Sequence, residues 1–70
     1  MDRLNVNCWM MWDLANCEDY VVVYAESADR WWIMTSRETY FDAIVALAEY
    51  AVEGGDGEYM IIDHDGQKIF

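Results

Sequence analysis

One histidine and two cysteines are the side chains of this sequence best suited to catalysis or metal binding. His64 lies between Asp63 and Asp65, a pattern that could supply acid–base chemistry or metal ligands. The fragment Asp-His-Asp-Gly nevertheless lacks the further ligands of a calcium loop. Cys8 and Cys17 lack the paired spacing of a zinc site. We therefore predict no catalytic site, no metal and no cofactor, and we place His64 in a surface turn.

Both cysteines are predicted to be reduced thiols. Asp2 and Arg3 interrupt the start of the sequence, so no hydrophobic core of a secretory signal is predicted there. The longest uncharged run, Leu4 to Trp12, is far too short to cross a bilayer. The expected location is the cytoplasm, where disulfides are rare. Cys8 and Cys17 are expected to be buried as small apolar side chains.

Four acidic residues recur at helical spacing, four, seven and four positions apart. They are Glu38, Asp42, Glu49 and Glu53. On a helix they would form a stripe about 22 Å long, with neighbours roughly 6 to 10 Å apart, which resembles the separation of phosphates along a nucleic-acid strand. Solvated helix faces usually mix charges in Glu–Lys pairs, whereas this stripe contains no Lys or Arg. It is therefore a candidate site for a basic partner, and an ordinary solvated face is the alternative.

The element that must position this stripe is a helix predicted from Thr35 to Gly55. A capping box, Thr35-x-x-Glu38, marks its start, and Gly54-Gly55 marks its end. Its remaining positions form a broad apolar arc expected to face the core. The arc comprises Tyr40, Phe41, Ile44, Val45, Leu47, Ala48, Ala51 and Val52.

Two hairpins are predicted around this helix. Tyr20–Ala25 and Arg30–Met34 are rich in β-branched and aromatic residues and flank the polar turn Glu26–Asp29. After the helix, Glu58–Asp63 and Gln67–Phe70 are predicted to pair across a tight turn. The turn acids Glu26 and Asp29 would extend the acidic surface of the helix.

The N-terminal segment permits two interpretations. Leu4–Cys8 alternates apolar and polar residues, which predicts a strand that continues through Trp9–Trp12. A short helix over Trp9–Cys17 is the alternative. With the strand, residues 1–70 form one domain of order β-β-β-α-β-β. The predicted fold is an α+β two-layer sandwich, in which one helix packs on an antiparallel sheet of four to five strands.

The charge balance restricts the class of partner. Fourteen acidic and four basic residues give a net charge of −10 at pH 7. A folded chain of this size exposes roughly 4,500 Å², so the charge is dense enough to disfavour nucleic acid and anionic membranes as direct partners. A basic protein surface is favoured instead. The apolar content of 56% argues against disorder.

Tryptophan and methionine provide a second signal, because one helix cannot bury them all. The set comprises Trp9, Trp12, Trp31, Trp32, Met10, Met11 and Met34. Such residues are enriched at interfaces, so the excess is expected to meet a partner or a second copy in a homodimer. Trp31, close to the turn acids, is included in the predicted partner-binding surface.

A short, strongly acidic α+β domain bearing the stripe Glu38/Asp42/Glu49/Glu53 resembles the small phage-encoded anti-CRISPR proteins. The resemblance is one of type, resting on size, charge and layout, and no family motif is matched. It implies a non-enzymatic inhibitor that mimics nucleic acid and occupies a basic DNA-binding surface of a CRISPR effector complex in the host cytoplasm. The alternative is an antitoxin-like or regulatory module that binds through the Trp/Met-rich surface.

Overall fold

The computed structural model describes residues 2–70, and within them the chain forms two helices and three strands. In chain order these are α1 (Cys8–Ala15), β1 (Tyr20–Ser27), β2 (Arg30–Arg37), α2 (Tyr40–Ala51) and β3 (Glu58–Ile62). The strands form one antiparallel sheet in the order β2-β1-β3. The predicted α+β class, the first hairpin and the strand at β3 are confirmed. The four to five strands and the order β-β-β-α-β-β are wrong.

β1 is the central strand, and its two faces contribute to two separate cores. Successive strand residues point to opposite sides of a sheet. Val21 and Val23 pack with Leu14 of α1, whereas Val22 packs with Ala43 of α2. The sheet therefore lies between the two helices. The predicted two-layer arrangement is wrong, because it left the sheet face opposite α2 uncovered, whereas the N-terminal segment packs on that face.

The N-terminal segment is helical where we predicted a strand. The Asn7 side chain caps α1 by accepting a hydrogen bond from the Met10 backbone N–H at 3.0 Å. A helix satisfies its backbone hydrogen bonds internally, so these apolar residues need no neighbouring strand. The alternative interpretation, a short helix over Trp9–Cys17, describes this segment better.

α2 begins at Tyr40 rather than at Thr35. Thr35, Ser36 and Arg37 continue β2, because they pair with the first residues of β1. The cap is Thr39, whose hydroxyl accepts from the Asp42 backbone N–H at 3.1 Å. The predicted capping box at Thr35 is therefore wrong, since sheet pairing overrides a local sequence signal.

The last residues follow β3 without forming the predicted fourth strand. The Ile69 N–H donates to the Ile61 carbonyl at 2.7 Å, and the Ile61 N–H donates to the Phe70 carbonyl at 2.9 Å. The same segment meets the start of the chain through an isolated bridge between Arg3 and Gln67. Gly66, at a positive φ of 86°, permits this approach, because a Cβ there would lie 2.6 Å from the Leu4 carbonyl oxygen.

Candidate interaction surface

α2 presents apolar side chains on two opposite sides. Ala43, Ala46 and Leu47 are buried against the sheet. The opposite side carries the α2 apolar strip, which we define as Phe41, Val45, Ala48 and Val52. Its larger members are well exposed, Phe41 at 73%, Val45 at 43% and Val52 at 85%.

The sequence misassigned these strip residues to the core. The predicted apolar arc was centred too far round the helix, because the two small alanines, Ala43 and Ala46, were left out of it. Their side chains let the helix lie close to Val22 and Ile61. A spacing of four, three and four residues along Phe41–Val52 was the signal that could have identified a second apolar stripe.

The α2 acids, Asp42, Glu49 and Glu53, border this strip and are all exposed. Asp42 and Glu49 are seven residues apart, which places them within about 20° of each other around the helix axis. Glu53 follows the C-cap residue, Val52, in the turn that ends the helix. Glu38 is also exposed, but it precedes the N-cap and does not belong to the helix. Three of the four predicted acids thus border one helix face.

The α2 acids are not neutralised by basic side chains. Among residues 2–70, the side-chain ion pairs are Glu26–Arg30 at 3.6 Å and Glu58–Lys68 at 3.3 Å. Neither pair involves α2. The negative charge along this edge of α2 is therefore uncompensated by local ion pairing.

The turn acids make contacts of their own, away from α2. Glu26 pairs with Arg30, and the Asp29 carboxylate accepts a hydrogen bond from the Asn5 side-chain amide. Both side chains are exposed at the β1–β2 turn. Their part in an extended acidic surface remains a prediction.

Trp31 is a core residue, contrary to its place in the predicted partner-binding surface. Only 4% of it is exposed, and its indole N–H donates to the Asn5 carbonyl at 3.0 Å. It packs with Leu14 and Met60 on the α1 side of the sheet. The sequence positions of the four tryptophans did not indicate which of them would be buried in the core.

A second exposed surface lies on α1. Leu14 is the buried residue of this helix, whereas Trp9, Met11 and Trp12 are 79%, 60% and 74% exposed. We refer to these three residues as the α1 apolar surface. Cys8 is also exposed beside Met11 and Trp12, so the prediction that both cysteines are buried is wrong for Cys8.

The remaining chemistry-bearing residues have mainly structural contacts. Partial burial raises the pKa of the Cys17 thiol; a hydrogen bond with Ser36 lowers it, and the nearby charges of Asp13 and Glu18 raise it further. His64 is exposed, and its Nε2 lies 2.9 Å from the Glu18 carbonyl oxygen, so this nitrogen carries the proton and donates. Within residues 2–70, no three His, Cys, Asp or Glu side chains are grouped so that they could hold a metal ion.

Comparison with protein-family models, with curated proteins and with solved structures finds no match to this chain. Neither helix among residues 2–70 has the length and apolar character that a bilayer crossing requires. Of the two surfaces described above, the one on α2 places a strip of apolar groups beside a row of acids that form no ion pair among residues 2–70.

Proposed function

We propose that this protein is a non-enzymatic inhibitor that binds the basic surface of a nucleic-acid-binding protein by mimicking nucleic acid. The observation that supports it best is the row of exposed α2 acids, Asp42, Glu49 and Glu53, none of which forms an ion pair within residues 2–70. Lys and Arg groups that normally contact phosphates would pair with these carboxylates. The resemblance to anti-CRISPR proteins suggests a CRISPR effector complex in the cytoplasm of the host cell as the target.

Long-range electrostatics favour this proposal. A net charge of −10 on a surface of 4,558 Å² leaves about one uncompensated charge for every 460 Å². A field of this sign attracts a basic surface, accelerates association and weakens as salt screens it. The same field repels nucleic acid and anionic lipid, so inhibition would proceed by contact with the protein partner.

The test is competition with target DNA. Purified, guide-loaded CRISPR effector complexes are mixed with labelled target DNA and increasing amounts of this protein, and bound DNA is measured by gel mobility shift. The stripe variant carries Glu38→Gln, Asp42→Asn, Glu49→Gln and Glu53→Gln. We expect it to compete about ten-fold more weakly than the unaltered protein.

The matched control removes the same number of charges from other exposed positions. It carries Asp2→Asn, Asp13→Asn, Asp19→Asn and Asp65→Asn. We expect this variant to retain most of the inhibition, because it keeps the α2 acids. Equal losses of inhibition in both variants would contradict a defined acidic site on α2. If the protein displaces DNA from no effector complex, the proposal that a CRISPR effector is its target is wrong.

A second candidate function follows from the α1 apolar surface. Trp9 and Trp12 are both largely exposed, and an exposed apolar patch often marks an interaction site. If the protein is an antitoxin-like or regulatory module, its partner would cover these two side chains; if it is a homodimer, the second copy would cover them. Substitution of Trp9→Ala with Trp12→Ala would then abolish partner binding or dimerisation, measured by analytical ultracentrifugation, while the stripe variant would retain both.

A further inference from the structure

The α2 apolar strip has the residue spacing of a helix–helix seam. Phe41, Val45, Ala48 and Val52 are separated by four, three and four residues, the alternation of d and a positions in a heptad repeat. Over these positions the strip runs about 16 Å along the helix. A helix that is apolar on both sides is normally covered on both, yet only the side with Ala43 is packed in this fold.

The acids occupy the flanking positions of the same repeat. With Phe41 at d and Val45 at a, both Asp42 and Glu49 fall at e positions, where charges select the partner of a seam. The other flank carries Ile44 and Ala51 at g positions, which are uncharged. The strip is therefore bordered by negative charge along one edge only.

This charge pattern disfavours a second copy of the chain as the occupant. In an antiparallel pair, the e-position edge of one helix faces the e-position edge of the other, so Asp42 and Glu49 would meet the same acids of the second copy. In a parallel pair, e faces g, so these acids would meet the uncharged Ile44 and Ala51 and would remain without a basic partner. Each copy also carries a net charge of −10. A helix with basic flanking residues would instead neutralise this edge while its apolar seam covers Phe41 and Val52.

We propose that the α2 apolar strip binds an amphipathic basic helix, with apolar seam residues packed on Phe41, Val45 and Val52 and Lys or Arg facing Asp42 and Glu49. This inference rests on the proposed function, because it names the chemistry of the partner's basic surface. It adds a requirement that mimicry of phosphates alone does not have, since the partner must present apolar side chains beside its basic ones.

The binding test uses synthetic peptides of about three heptads. The seam peptide has Leu at a and d and Lys at e and g. A permuted peptide has the same composition and charge, with its leucines dispersed around the helix. We expect fluorescence anisotropy to show the seam peptide binding about ten-fold more tightly than the permuted one. Equal affinities would overturn the proposal, because charge alone would then explain the binding.

Protein variants locate the site of binding. The double variant Phe41→Ser with Val52→Ser is expected to bind the seam peptide about ten-fold more weakly than the unaltered protein. The matched control, Trp9→Ser with Met11→Ser, alters two largely exposed apolar residues on α1 and is expected to leave binding within about two-fold. Both pairs are exposed, and circular dichroism confirms that each variant is folded. A loss in the α1 variant as large as in the α2 variant would overturn the assignment to α2.

The DNA-competition assay separates this inference from the proposed function. If Phe41→Ser with Val52→Ser inhibits fully while the stripe variant does not, the apolar strip is not part of the site and the inference fails, although the proposed function stands. If the seam peptide binds at α2 as described but no nucleic-acid-binding protein is displaced from DNA, the inference stands and the proposed function fails.

Discussion

The tryptophans show how two residues of one type take opposite roles according to their contacts. Trp31 fills the core between β2 and α1 and donates its indole N–H to Asn5, whereas Trp9 projects from α1 with 79% of its surface exposed. The burial of Trp31 contributes to the free energy of folding, whereas the exposed Trp9 contributes little. Substitution of the exposed Trp9 side chain is therefore expected to leave the fold intact.

Trp31→Ala is expected to lower the free energy of unfolding by about 3–5 kcal/mol, because it leaves a large cavity in the core. Such a loss is comparable with the whole stability of a small domain, so Trp31→Phe serves as the milder variant, with an expected loss of about 2 kcal/mol from the missing hydrogen bond and the smaller ring together. Trp9→Ala is expected to change stability by no more than about 0.5 kcal/mol. Urea denaturation measures all three, and equal effects at both positions would contradict the observed burial.

Cys17 is expected to make stability depend on pH in the alkaline range. Its thiol has a pKa raised above the usual 9.0, chiefly because burial disfavours the thiolate. The folded state therefore holds this proton more tightly than the unfolded state. The stabilising contribution is complete below the usual thiol pKa and is lost as the pH rises through the raised pKa.

The measurement compares the unaltered protein with Cys17→Ala by urea denaturation across the alkaline range. The unaltered protein is expected to lose stability faster than the variant as the pH rises above about 9. Tyrosine and lysine ionise in the same range in both proteins, so only the difference between the two curves reports on Cys17. Parallel curves would show that the thiol is not protected by the fold.

At the scale of elements, the start of α2 shows that pairing within the sheet can override a helix-capping signal in the local sequence. Thr35-x-x-Glu38 was the predicted cap, whereas the structure uses the same spacing four residues later, Thr39 with Asp42. Only the second is used, because Thr35 pairs with Val22 across the sheet. No sequence pattern within the helix itself distinguishes the two, since the deciding partner is on β1.

Thr39→Ala is expected to destabilise the protein by about 1 kcal/mol, since it removes the side-chain acceptor for the Asp42 N–H. Thr39→Asp keeps an acceptor and is expected to restore most of the loss. Thermal unfolding followed by circular dichroism measures both. A Thr39→Asp variant no more stable than Thr39→Ala would contradict the role of residue 39 as the cap.

The sequence predicted the elements whose signals are local and strong. β1, β2 and β3 are rich in β-branched and aromatic residues, and α2 has a helical repeat of apolar residues. α1 was assigned to a strand because a short apolar run has no decisive periodicity. The acids of α2 were identified, but its outward strip was not, since apolar residues were assumed to face the core.

At the scale of the whole molecule, excess negative charge is expected to oppose folding. Fourteen acids and four bases leave most carboxylates without a basic neighbour, and the folded state brings these like charges together. Salt screens such repulsion, and at about 1 M the screening length is only about 3 Å. The melting temperature should therefore increase with added sodium chloride.

Differential scanning calorimetry at increasing salt measures this effect. The variant with Asp2, Asp13, Asp19 and Asp65 changed to Asn is expected to show a smaller rise, because it carries less repulsion to screen. A melting temperature that falls with salt would indicate that attractive ion pairs dominate the surface.

The bridge between Arg3 and Gln67 links the start of the chain to its end, and this link bears on how cooperatively the protein unfolds. Leu4, held beside this bridge by a hydrogen bond from its N–H to the Gly66 carbonyl, completes the core that contains Leu14 and Val21. That contact joins positions more than sixty residues apart, so it forms only after the intervening chain has been brought together, and the β1–β2 hairpin can precede it. Leu4 is only 1% exposed, so detachment of residues 2–4 would remove a buried side chain from this core and break the hydrogen bonds to Gly66 and Lys68 in the same event. We therefore expect the protein to unfold in one transition rather than progressively from one end.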